Sequence, residues 1–166
     1  MKLYVKQHVL SIRDRFDVKD EYGTTLYSVH GSILTIGRKF TITDATQTPV
    51  ATVKHKPFHF LSQYIISTAD HNVLLKRDLS LFKMKFSLKH LDWKLSGDYL
   101  GHRYNITSHN KTLMTLSKKW FSWGDSYELN IHDDNNALLC LCITIAIDAE
   151  LANSRRATQT AQSSNT

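Results

Sequence analysis

The chain has 166 residues, of which 42% are hydrophobic and 22% charged, so it can bury a globular core without a metal or a disulfide. Lys and Arg exceed Asp and Glu by 21 to 15, giving a formal charge of +6. That surplus admits anionic partners but is of the size that plain surface solvation produces, and the composition argues against disorder along the main body.

The opening MKLYVKQHVLSIRDRF lacks the apolar run of a secretory signal, which together with two cysteines in all points to a reducing cytoplasm. From there a unit recurs: an aromatic, an aliphatic two residues later, a polar turn, then two more aliphatics. Its copies are Phe16 and Val18 leading to Leu26 and Val29, Phe40 and Ile42 to Val50 and Val53, and Tyr64 and Ile66 to Val73 and Leu75. Further on come Tyr104 and Ile106 to Leu113 and Leu116, and Tyr127 and Leu129 to Leu138. The first three aromatics recur every 24 residues. Apolar and polar residues alternate within each copy, the period of a half-buried strand, and the middles (DEYGT, DATQT, DHN, SHNK, DDNN) are rich in turn formers. Each copy therefore predicts one β-hairpin.

Pro57, in HKPFHF, marks a loop between the second and third hairpins. Alternation through Phe82–Leu88 and Trp93–Leu95 predicts a further hairpin, bringing the total to about a dozen antiparallel strands. A sheet of that size leaves two edges exposed unless it closes into a barrel. The run Ala137–Ala149 is apolar on all sides, as an enclosed element would be, and suits a helix of three turns. Its β-branched Ile143, Thr144, Ile145 and Ile147 fit a buried strand equally well. The apolar stretch Ala137–Ile147 is about half of the roughly 20 residues that cross a bilayer. The polar remainder, 151–166, reads as a disordered tail after a domain at 1–150.

Catalytic and metal-binding signals are weak. His55 and His59 flank Pro57 and find no neighbouring cysteine or carboxylate cluster, and the other histidines are scattered. Cys140 and Cys142 read as buried thiols. The six glycines form no phosphate-binding motif, and Asp98 and Asp125 each follow a glycine, the position of a turn residue. Neither a catalytic residue, nor a metal, nor a cofactor is expected. The candidates for ligand contact are basic: Lys76, Arg77, Lys83 and Lys85 on one predicted strip, and Lys118 and Lys119 beside Trp120 and Trp123 in KKWFSWGD. Burial as an end cap of the barrel is the preferred reading for the aromatics of that cluster.

Three blocks carry a family resemblance: MKLYVKQHVLSIRDRFDVKDEYG at 1–23, FKMKFSLKHLDWKLSGDYLGHRYNI at 82–106, and LSKKWFSWGDSYELNI at 116–131 followed by ALLCLCITIAIDA at 137–149. Together they make the chain similar to the LURP-one-related family. That resemblance implies the fold of the tubby C-terminal domain and the phospholipid scramblases, a closed antiparallel β-barrel of about twelve strands around a hydrophobic C-terminal α-helix. It also implies helix for the ambiguous terminal run. No local motif matches the phosphate-binding residues of tubby domains, and the cysteine-rich and membrane-anchoring segments of scramblases are missing from this sequence.

The expected function is a non-enzymatic binding module, cytoplasmic or peripheral at a membrane, that meets anionic phospholipid headgroups or another anionic ligand through surface lysines. A protein-interaction scaffold is the alternative, and a small enzyme with an unrecognised site a more distant one. No nucleic-acid partner is expected.

Overall fold

A computed structural model describes residues 1–6, 15–32, 37–80, 83–121 and 124–163; the side chains at 6, 120, 121, 124, 125 and 161–163 lie outside that description. Twelve strands follow one another: β1 (Lys2–Lys6), β2 (Arg15–Lys19), β3 (Thr25–Ser32), β4 (Lys39–Asp44), β5 (Pro49–Lys56) and β6 (Gln63–Thr68). The second half comprises β7 (Asn72–Asp78), β8 (Lys85–Lys89), β9 (Trp93–Asp98), β10 (Arg103–Ser108), β11 (Lys111–Phe121) and β12 (Gly124–Ile131). A 3₁₀ turn (Asp134–Asn136) then leads into helix α1 (Ala137–Ser163).

The strands form one antiparallel sheet in the order β8-β7-β6-β5-β4-β3-β2-β1-β12-β11-β10-β9, curled into a nearly closed barrel with α1 inside. Four predicted hairpins are present. Phe16 pairs Val29, Phe40 pairs Val53, Tyr64 pairs Leu75 and Tyr104 pairs Leu116. All eight side chains point inward and are buried, because a period of two places alternate residues on the core face. The turn chemistry is also as read: Asp20 and Asp44 accept backbone N–H groups through their carboxylates, from Tyr22 and Thr24 and from Thr46 and Thr48.

The fifth copy is different. Tyr127 and Leu129 lie on β12, which pairs with β1 and β11, and the segment after it turns into helix. Asp133, read as part of a hairpin turn, caps the 3₁₀ turn by accepting from the Asn135 N–H.

The predicted hairpin from 82 to 95 also resolves differently. β8 pairs only with β7 and β9 only with β10, so these sequence neighbours are the two ends of the sheet and leave a seam in the barrel. Gly97 shows why β9 follows β10: at φ 138° it lies so close that an added Cβ would be 2.5 Å from Tyr104 Cα. Behind the seam, Tyr99 bridges the interior. Its ring meets Phe86 of β8 edge-on at 5.0 Å and Tyr104 of β10 at 5.2 Å.

Helix α1 decides the ambiguous terminal run. Ala137–Leu151 is buried at nearly every position, and Cys140, Leu141, Cys142, Ile143, Ala146 and Ile147 are fully enclosed. The helix is long and apolar enough to cross a membrane, yet 78% of its apolar window is inside the barrel, where it acts as core. It also continues through Ser163, across the stretch read as a disordered tail. Each added residue gains one hydrogen bond once a helix exists, and Ala, Arg and Gln are good formers, so the polar sequence extends it. Leu141→Ala and Ile145→Ala should each lower the unfolding free energy by about 2–5 kcal/mol. Gln159→Ala, on the exposed turns, should change it by less than about 0.5 kcal/mol in the same urea titration.

Candidate functional site

Strand alternation gives the barrel two unlike ends. α1 begins at the proximal end, among the turns β2–β3, β4–β5, β6–β7, β8–β9 and β10–β11. It leaves at the distal end, where the described connections are β5–β6, β9–β10 and the flanks of β7–β8. The proximal turns carry Asp20, Glu21, Asp44, Asp70, Asp92, Asp133 and Asp134, several of them required by turn geometry. The distal connections and the strand ends beside them carry Arg38, Lys56, Lys83 and Arg103 together with Asp78 and Asp98, and Lys19, Lys89 and Lys111 stand beside the proximal turns. The proximal turns themselves are thus the more acidic end.

The distal end is also apolar at its surface. Phe58 and Phe60, on the loop after β5, are 93% and 95% exposed, while Leu79 and Leu100 on neighbouring connections are 74% and 59% exposed. Phe58 holds φ 63°, rare for a bulky residue, and His59 is tied to the Pro57 carbonyl through Nδ1 at 2.9 Å. The three connections adjoin one another. A hollow of about 250 Å³ is lined by Leu61, Leu79, Met84 and Leu100 together with Arg77 and Lys83, and Met84, Lys83 and Leu100 also border a larger cavity of about 530 Å³ that reaches Gly97 and Tyr99.

Under this surface lies a band of buried polar groups that ties α1 to the wall. Arg77, on the inward face of β7, donates to Glu150 Oε1 at 2.9 Å and to Ser154 Oγ at 3.1 Å. Tyr64 OH donates to Glu150 Oε2 at 3.3 Å and accepts from Asn153 at 3.2 Å. Burial first, then the Glu150 carboxylate, pushes the Tyr64 phenol far above its usual range. Across the interior, His102 stacks on Tyr127 with ring centroids 4.4 Å apart, and its Nδ1 lies 3.5 Å from Asp148 of the helix. Burial, assisted by Asp78, raises Tyr99 to about 12.

The basic candidates do not form one site. Arg77, with a side chain 36% exposed, is paired with Glu150 of the helix. Lys76 lies half-exposed on β7, and Lys83 and Lys85 are exposed at the start of β8. Lys118 is half-buried, and Lys119 sits 3.7 Å from Glu128, which also accepts from Tyr4 OH at 2.9 Å. β11 is separated from β8 by β9, β10 and the seam, so the two strips occupy different parts of the wall. Trp120 is in register with Asp125 on the β11–β12 ladder, and Trp123 lies outside the described residues. Asp98 is a turn residue, accepting the Gly101 N–H at 2.9 Å. Cys140 and Cys142 are free thiols inside the barrel, and burial raises Cys140 to about 12. Among the described residues no His, Cys, Asp or Glu cluster is arranged to hold a metal ion.

The LURP-one-related family profile matches residues 1–148. The chain belongs to that family. An uncharacterised Bacillus subtilis protein, YxjI, is 30% identical over 154 residues, covering 92% of this chain and 95% of the relative. An Arabidopsis thaliana protein solved by X-ray diffraction shares the fold, with a TM-score of 0.58, 16% identity and 90% coverage of each chain. The scaffold of this LURP-one-related barrel is thus also found in a plant protein.

Arg77→Met should cost about 2–3 kcal/mol, because it strands the buried Glu150 carboxylate, and Arg77→Met/Glu150→Gln should recover part of the loss in thermal denaturation. Alkaline stability should follow the raised phenols. Above pH 10 the unfolded chain releases the Tyr99 proton that the folded chain keeps, so stability present in full below pH 10 falls as the pH rises toward about 12. Tyr99→Phe should flatten that fall in denaturant titrations across the window.

Proposed function

We propose that this chain is a non-enzymatic binding module that docks its distal end on an anionic membrane surface, as a peripheral protein. The carrying observation is the set of fully exposed side chains Phe58 and Phe60, flanked by exposed Leu79 and Leu100 on adjoining connections. A water-soluble domain that leaves such residues uncovered at one end gains on placing them in an apolar phase, by about 1.5–3 kcal/mol for each Phe. Charge supplies the orientation. Lys56 and Lys83 flank the apolar tips, whereas the turns at the opposite end carry a run of aspartates, so an anionic headgroup layer favours the distal end over the proximal one. Each lysine near such a surface adds about 1 kcal/mol.

This reading moves the contact from Lys118 and Lys119, where Glu128 competes for the cation, to the loops beside Lys83. It rests on binding alone, since the polar groups at this end hold the helix in place.

Flotation with phosphatidylcholine vesicles, with and without phosphatidylserine, tests it. At low salt the chain should float with the anionic vesicles and not with the neutral ones. Phe58→Ser/Phe60→Ser should weaken the association at least about tenfold while leaving the unfolding midpoint unchanged, because both side chains are already in water. Equal flotation of the double variant, or no flotation on anionic vesicles, would overturn the proposal.

A further inference from the structure

We infer that the seam between β8 and β9 receives an extended acidic peptide of a partner protein, which joins the sheet as an added strand. Among the described residues, ten strands have a hydrogen-bonded neighbour on each side, but β8 and β9 each have one. Two rows of backbone N–H and C=O groups are left for outside partners, the arrangement that β-strand addition uses. The short connection 90–92 holds the strands together at the proximal end. Toward the distal end they part around the cavity of about 530 Å³, between Lys83 and Met84 on one side and Gly97 to Leu100 on the other. The Phe86, Tyr99 and Tyr104 rings close the interior behind it. With five residues in β8 and six in β9, the seam accepts about five residues of extended chain, roughly 17 Å.

Charge selects the occupant. Lys83, Lys85, Lys89 and Lys94 are all exposed beside the seam, and none of them has a carboxylate partner among the described residues. Of the nearby carboxylates, Asp98 is paired with Arg103 at 3.9 Å, Asp92 lies 3.1 Å from His109, and Asp78, in register with Lys85, accepts from Ser87 Oγ at 2.9 Å. The half-buried Met84 and Leu95 supply an apolar floor. A peptide with acidic residues at alternate positions meets lysines outward and apolar side chains inward. A second copy of this chain brings its own lysines to the same edge and is repelled. A lipid surface offers no row of backbone groups, which sets this inference apart from the membrane reading.

A fluorescein-labelled peptide alternating Glu and Val is the probe, read by anisotropy at low salt. It should bind saturably, and methylation of alternate backbone nitrogens in the peptide should weaken it at least tenfold, as should exchanging Glu for Lys. Amide hydrogen exchange should slow at 85–89 and 93–98. The variant Lys85→Glu/Lys94→Glu should lose the Glu–Val peptide by at least tenfold and take up the Lys–Val peptide instead, a gain that an unfolded protein does not give. Phe58→Ser/Phe60→Ser should retain full peptide binding, so failure of the membrane reading is seen separately. Absence of binding, binding indifferent to backbone methylation, or exchange protection confined to other strands would overturn the inference.

Discussion

The interior of a twelve-stranded barrel is wider than the strands' own side chains can fill, and α1 occupies that space. The strands contribute an inward layer of Val, Ile, Leu and aromatic residues, and the helix meets it with a surface from Ala137 to Ile147 that is apolar except for Thr144, whose hydroxyl donates to the Cys140 carbonyl. Neither part is stable alone. A lone helix of this sequence would expose Leu, Ile and Cys to water, and an empty sheet would lack the dense contacts that oppose the entropy of ordering it.

That constraint also explains where polar groups enter the core. Asp148 and Glu150 are the first charged residues along α1, and they fall where the helix approaches the distal mouth. There Arg77, Tyr64 and His102 reach them from three parts of the wall. The ties fix how far the helix is inserted, since a shift by one turn would move the Glu150 carboxylate away from Arg77. Helix position, the β9–β10 turn that holds His102, and the loops that present Leu79 and Leu100 are thereby one mechanical unit.

Much of this was legible in the residues because strand alternation is a local signal. Phe16, Phe40, Tyr64 and Tyr104 each announce a hairpin by the alternation that follows them, and the Asp-rich turns name their own geometry. The terminal run was not decided by pattern, because β-branched Ile143, Ile145 and Ile147 suit strand or helix; only the enclosure selects helix. The seam was hidden for a related reason. Phe86, Leu88, Trp93 and Leu95 alternate as a hairpin should, and nothing local reveals that Gly97 draws β9 against β10. Phe58 and Phe60 were placed correctly on a loop by Pro57, but exposure is a property of what surrounds a residue and has no signature in HKPFHF. The pairing of Arg77 with Glu150 was hidden for the same cause: the two lie 73 residues apart along the chain.

The order of elements along the polypeptide bears on how the molecule comes to exist. The segment that every strand packs around follows all of them, and β1 must find β12, with Lys2 opposite Asn130, before the wall is joined. During synthesis the strands emerge one hairpin at a time with their apolar faces uncovered, and none of these intermediates can reach the native state while α1 is still in the ribosome. Assembly is consequently non-local, the kind of topology that folds slowly.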